Sequence, residues 1–177
     1  MVQAGGPERT GEHNMTEPTD SDFLAPDVDP NKALLGVREI RATNAAEAKT
    51  VSRVRDFEVV TDEKTGSNSG PSPLETVLCA LTGCEGVIIN RCAKAMNFKY
   101  SGVDFECDGW VDARGSRGVR GVRPHFQKVV FKVLLRTEEP DARMEKLRKN
   151  VEMRCPVMNL LADAGVELDV TWERVAP

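Results

Sequence analysis

The 177 residues are 40% hydrophobic and 29% charged, ordinary proportions for a soluble globular chain with room for one core. A net charge of -4 and a pI near 5.3 supply no basic field, which argues against nucleic acid as a partner and against a polybasic membrane anchor. Glu85 interrupts the best apolar run and the N-terminus lacks the basic flank and apolar core of a signal peptide, so the expected location is cytoplasmic, with no membrane span.

Residues 1–29 are rich in Gly, Pro, Thr, Asp and Glu and read as a mobile N-terminal extension, leaving 30–177 as a single domain. Asp29-Pro30 opens a short helix through Leu35, and 37–43 and 50–61 then read as two strands of a hairpin joined by a polar segment. In the second strand Arg53 and Arg55 flank Val54, ahead of Phe57 and Val59. A loop containing Gly66, Gly70 and Pro71 delivers the chain to Ser72. Ser72 caps a helix, Pro73 suits its first position and Glu75 completes a Ser-x-x-Glu capping box. Leu74, Val77, Leu78, Leu81 and Ile88 recur at helical spacing with mostly apolar flanks, predicting a long central helix enclosed on several sides. It should run to about Met96, with Asn97 as the stop. Cys84 lies on the stripe of Leu81 and Ile88.

The next strand, 100–111, puts Val103, Phe105, Cys107 and Val111 on one face, which makes Cys107 a small core residue. A basic turn over 114–118 leads to a strand in which Val129, Phe131, Val133 and Leu135 alternate with polar or outward positions, and the two strands should pair antiparallel. His125, at the start of that strand, reads as structural. An amphipathic helix over 140–153, with Met144, Leu147 and Val151 on one side, is broken at Arg154-Cys155-Pro156. Val157, Leu160, Leu161 and Ala164 form a second short helix closed by Gly165. Val166, Leu168, Val170 and Trp172 then alternate with polar residues in a final half-exposed strand. Sheet, long helix, sheet, two helices and strand make an α+β fold, with helices collected against antiparallel sheet.

Cys79, Cys84, Cys92, Cys107 and Cys155 form an odd set without a C-x-x-C pair, and His13 and His125 are the only histidines. Neither a disulfide framework nor a zinc site is expected, so the thiols are either buried filler or redox groups. Cys155 precedes a proline that suits a first helical position, so it should sit at the cap near free N–H groups that favour its thiolate. Cys84 lies about three turns into its helix, where the dipole has faded, and its activation calls for a side chain such as an arginine.

The segment Gly70-Pro71-Ser72-Pro73-Leu74-Glu75 through Ala80-Leu81-Thr82-Gly83-Cys84, with Arg154-Cys155-Pro156-Val157 later and Phe57-Glu58-Val59-Val60-Thr61-Asp62 before it, resembles the OsmC/Ohr family of thiol peroxidases. The likeness runs from about Val37 to the C-terminus. It implies an intertwined α+β homodimer with two long central helices and an antioxidant oxidoreductase that reduces organic hydroperoxides or hydrogen peroxide. Carried onto this chain, Cys84 is the peroxidatic residue, forming a sulfenic acid as the alcohol leaves, and Cys155 resolves it as a disulfide. An external dithiol reductant restores the thiols; no bound cofactor and no metal are implied. Leu74 stands where better characterised branches carry the glutamate that partners the catalytic arginine. Glu75 is not assumed to replace it, being about two and a half turns from Cys84 and so on the opposite face; it reads as the helix cap, with a secondary site role as the alternative. The activating arginine is Arg53 or Arg55. The alternative is a non-catalytic small-molecule binding or redox-sensing protein on the same fold.

Overall fold

The computed structural model describes Asp29 and residues 31–176. The extension expected over 1–29 therefore lies, apart from Asp29, outside the described residues. The chain falls into two units divided between Leu35 and Gly36. In the described part of the first, a turn stands where a short helix is expected: Lys32 N–H reaches the Asp29 carbonyl and Asn31 N–H reaches Asp29 Oδ1. Leu34 and Leu35 are exposed, so no buried stripe sustains so short a helix.

The second unit opens with a three-stranded antiparallel sheet of β1 (Arg41–Asn44), β2 (Thr50–Val54) and β3 (Phe57–Thr61). Residues 50–61, which read as one strand, are two, because Arg55 takes a positive φ of 53° and folds the chain so that Val54 pairs with Phe57. The turn lacks the Gly or Asn that normally advertises such a hairpin. Instead the Arg55 guanidinium lies 5.1 Å from the centroid of the Phe57 ring.

After the loop come α1 (Pro73–Ala95), β4 (Gly102–Val111), the single turn α2 (Ala113–Ser116), β5 (Phe126–Arg136), α3 (Asp141–Arg154), α4 (Pro156–Asp163) and β6 (Glu167–Val175). β5 is the middle strand of a second sheet, with Phe126, Val129, Phe131, Val133 and Leu135 buried on its inner side. Antiparallel pairing holds throughout the first sheet and between β4 and β5. β6 adds to β5 in parallel, since the crossover through α3 and α4 carries the chain back to start beside the same end. The core lies between this sheet and the helices, where Leu81, Ile88 and Ile89 of α1 meet Phe131, Leu147 and Val151. Gly109 is required at its place, since a Cβ there would stand 2.5 Å from the Phe126 ring.

One expectation about burial changes. Within one chain α1 is covered on one side only: Leu74 and Val87 are 41% and 50% exposed, and Val77 is also open. In α4 the eight residues bury Met158 and Leu161, which turns Leu160 outward to 67% exposure. By length and composition α1 would also suffice to cross a membrane, but Glu85 lies in its middle and its inner face forms the core.

Candidate functional site

The site begins with the loop that sets the start of α1. Asp62 is enclosed by its own loop, and its carboxylate accepts hydrogen bonds from Ser67 Oγ at 2.6 Å, Glu63 N–H at 2.8 Å, Ser69 N–H at 2.9 Å and Ser69 Oγ at 3.0 Å. These donors, the Ser67 hydroxyl first, hold the carboxyl well below the usual range. The loop then hands the chain to a complete capping box: Glu75 N–H donates to Ser72 Oγ at 3.2 Å, and Ser72 N–H donates to Glu75 Oε2 at 2.7 Å. The Glu75 carboxylate is thereby committed to the first turn of α1.

Cys84 is half-buried on α1. Cys155 is fully buried at the junction where α3 ends and α4 begins, with Pro156 in the first turn of α4. The side chains of Cys84 and Cys155 interact directly, so two residues far apart in sequence meet where α1 packs on the α3–α4 junction. The expected preference of Cys155 for the thiolate is reversed. Burial pushes the thiol up, above the ordinary thiol range, and the Glu85 carboxyl adds to the rise. The Met158 N–H acts the other way but closes no capping bond, and the dipole of an eight-residue helix does not offset the loss of solvent.

Glu85, next to Cys84 on the helix, is the residue that the sequence reading passes over. It is 1% exposed, and neither carboxylate oxygen has a hydrogen-bond partner among the described residues. Burial raises its carboxyl to about 7; the Cys155 thiol beside it lowers the value and the charge of Glu152 raises it. The signal in the sequence is a lone acid inside an apolar helical run, which a solvated position would explain equally well.

Neither Arg53 nor Arg55 reaches Cys84 within the chain. Arg53 is ion-paired to Glu58 at 2.7 Å and Arg55 covers Phe57. Arg154 is the guanidinium that meets an α1 thiol, donating from Nη1 to Cys92 Sγ at 3.6 Å. Cys107 faces the core from β4, and burial lifts its thiol to about 11, with Asp108 and Cys79 contributing. Among the described residues no group of three or more His, Cys, Asp and Glu side chains is placed to hold a metal. The chemistry on offer is therefore a half-exposed thiol backed by a buried thiol and a buried, unpaired carboxyl.

The sequence model for OsmC-like proteins matches residues 66–171, which contain α1, both thiols and most of the second sheet. A search of curated proteins by sequence gives no match. Among solved structures, an OsmC-like protein from Mycoplasma pneumoniae is similar at 18% identity, with a TM-score of 0.69 over 80% of this chain and 99% of that one. An organic hydroperoxide resistance protein from Elizabethkingia anophelis gives 12% identity and a TM-score of 0.64 over 81% of this chain and 100% of that one. Another, from Legionella pneumophila, gives 14% and 0.58 over 82% of this chain and 100% of that one. At these identities the likeness is one of fold.

Proposed function

The chain belongs to the OsmC-like protein family, and from that premise we propose that it is a thiol peroxidase acting through Cys84 and Cys155. Membership of that family and similarity to organic hydroperoxide resistance proteins support a peroxide-related redox role. The observation that carries the finer reading is the contact between the Cys84 and Cys155 side chains. The Cys84 thiolate attacks one peroxide oxygen, the O–O bond breaks, and the products are a Cys84 sulfenic acid and an alcohol, or water from hydrogen peroxide. The Cys155 sulfur then displaces the hydroxyl, giving a disulfide and water. An external dithiol reduces that disulfide by exchange, and no bound cofactor takes part. A cytoplasmic setting, where dithiols are kept reduced, suits this cycle.

The same reading includes a homodimer. Leu74, Val77 and Val87 along α1, with Val37, Ile40, Phe57 and Val59 around the first sheet, leave more apolar surface uncovered than scattered exposed residues account for. A second copy of the chain covers it and brings an arginine from the β2–β3 hairpin to Cys84. Arg53 is already neutralised by Glu58, which leaves Arg55 at the hairpin tip as the donor.

The test is consumption of cumene hydroperoxide and of hydrogen peroxide with dithiothreitol as reductant. Cys84→Ser should abolish turnover, and Cys155→Ser should leave a single oxidation of Cys84 without disulfide. Undiminished turnover by Cys84→Ser would remove the reading, as would failure to trap any sulfenic acid in Cys155→Ser, which would favour a binding or sensing protein.

A further inference from the structure

Cys155 presents a chemical difficulty. Resolving a sulfenic acid needs a sulfur nucleophile, and a thiol attacks well only as it loses its proton. This thiol has no solvent contact to take that proton, and burial holds it protonated. A base must therefore be part of the site.

We infer that Glu85 is that base: its carboxylate takes the Cys155 proton as the disulfide forms and returns it when the disulfide is reduced. The inference rests on the peroxidase reading above. Three observations carry it. Glu85 lies against the Cys155 thiol. It is buried, so its charge has no water to disperse it. Apart from the Cys155 thiol, its oxygens have no partner among the described residues, so the acceptor is committed to no other donor, unlike the carboxylates of Asp62 and Glu75. An unpaired acid in a core costs stability and is retained where it has a task.

The step balances. Cys84 sulfenic acid, Cys155 thiol and Glu85 carboxylate become the Cys84–Cys155 disulfide, Glu85 carboxylic acid and hydroxide. The hydroxide leaves on the side of Cys84 away from the attacking sulfur and is protonated by solvent at this half-exposed residue. When the external dithiol attacks Cys84 and expels Cys155, the departing sulfur recovers the proton from Glu85. The oxidised state thus buries a neutral acid and a disulfide, with no ionised group in the core.

The surroundings tune the acid to this use. From α3, Glu152 faces it with a like charge, itself bridged to Arg148 at 2.9 Å. At the junction Cys155 is its contact, and neighbouring Arg154 donates from Nη1 to Cys92 Sγ. On the inner side of β4 the titratable group is Cys107. The resulting carboxyl, at about 7, changes hands with a proton at neutral pH.

Single-turnover oxidation of the full-length protein with one equivalent of cumene hydroperoxide separates the two chemical steps. Dimedone labelling reports the sulfenic acid, and loss of free thiol after an alkylating quench reports the disulfide. In Glu85→Gln the sulfenic acid should form at the native rate, while disulfide formation slows roughly 10²-fold and the dimedone adduct accumulates. Glu85→Asp, which keeps a carboxylate, should recover part of the rate. In the native protein disulfide formation should rise with pH through a midpoint near 7, and Glu85→Gln should lose that step. A folded Gln variant that closes its disulfide at the native rate overturns the inference. If Gln is not tolerated, a native disulfide rate that is flat from about pH 6 to about pH 8 overturns it instead. Absence of any sulfenic acid in Cys155→Ser, where nothing resolves it, overturns the peroxidase reading itself, and the relay with it.

Discussion

Arg53 and Glu58 stand opposite each other across the β2–β3 ladder and close an ion pair of 2.7 Å. Both side chains are more than half exposed, so the pair adds less than about 1 kcal/mol to the fold, but it occupies Arg53. Arg55 has a ring contact only, which leaves its N–H donors without an acceptor among the described residues. Arg55→Ala should therefore lower peroxide turnover by about 10²-fold, as loss of a charged donor near a reacting centre commonly does. Arg53→Ala should change it by less than about threefold. Steady-state rates on the two variants decide, and the opposite ranking would move the activating role to Arg53.

The carboxylate of Asp62 organises the approach to α1, so Asp62→Ala should lower the melting temperature at neutral pH and slow turnover through a loosened helix start. The sign of its pH dependence follows from a folded value depressed below the ordinary 3.8. The stabilisation is complete above the unfolded value and is lost as pH falls through the folded one. The gap in melting temperature between native and variant should hold from neutral pH down to the usual carboxyl range, then close in stronger acid. A gap that closes already near neutrality would contradict the assignment.

Glu85 has the opposite sign. Its folded value of about 7 lies above the ordinary 4.5, so the fold is favoured while the acid is neutral and loses stability as pH rises through that interval. The full penalty is about 3 kcal/mol. Glu85→Gln should match the native protein near pH 4 and exceed it in stability above about pH 7 by most of that amount. Urea unfolding at the two pH values measures it, and a difference independent of pH would argue that the carboxyl is already neutral or solvated.

The uncovered side of α1 supplies a test of assembly. Val87→Asp places a charge on the exposed apolar side of α1 without touching the inner core. Light scattering should give twice the 19.5 kDa chain mass for the native protein and a single chain mass for the variant. A native protein that runs as one chain would leave the apolar stripe for another kind of partner.

Much of the fold can be read from periodicity. The Ser72, Pro73 and Glu75 pattern sets the start of α1, and period-two alternation marks β4, β5 and β6, because each of these signals is local. The turn at Arg55 and Asp56 is hidden, since an arginine does not advertise the positive φ that Arg55 adopts. The parallel seat of β6 depends on a crossover, which no pattern inside the strand contains. The site divides in the same way. Cys84 and Cys155 are visible through motif context. The burial of Glu85 and the raised thiol of Cys155 arise only when α1 meets the α3–α4 junction, a contact between distant stretches.

The place of Cys155 within the crossover between β5 and β6 has a topological consequence. Bonding it to Cys84 closes a covalent ring of about 70 residues that contains the rest of α1, β4, β5 and α3. Tying so long a loop removes freedom from the unfolded chain, a gain of about 4 kcal/mol on an entropic reckoning. In the proposed cycle, oxidation would clamp most of the core that surrounds it and each reduction would release the clamp, so a protein paused between turnovers in its disulfide form would outlast its reduced form under heat or proteolysis.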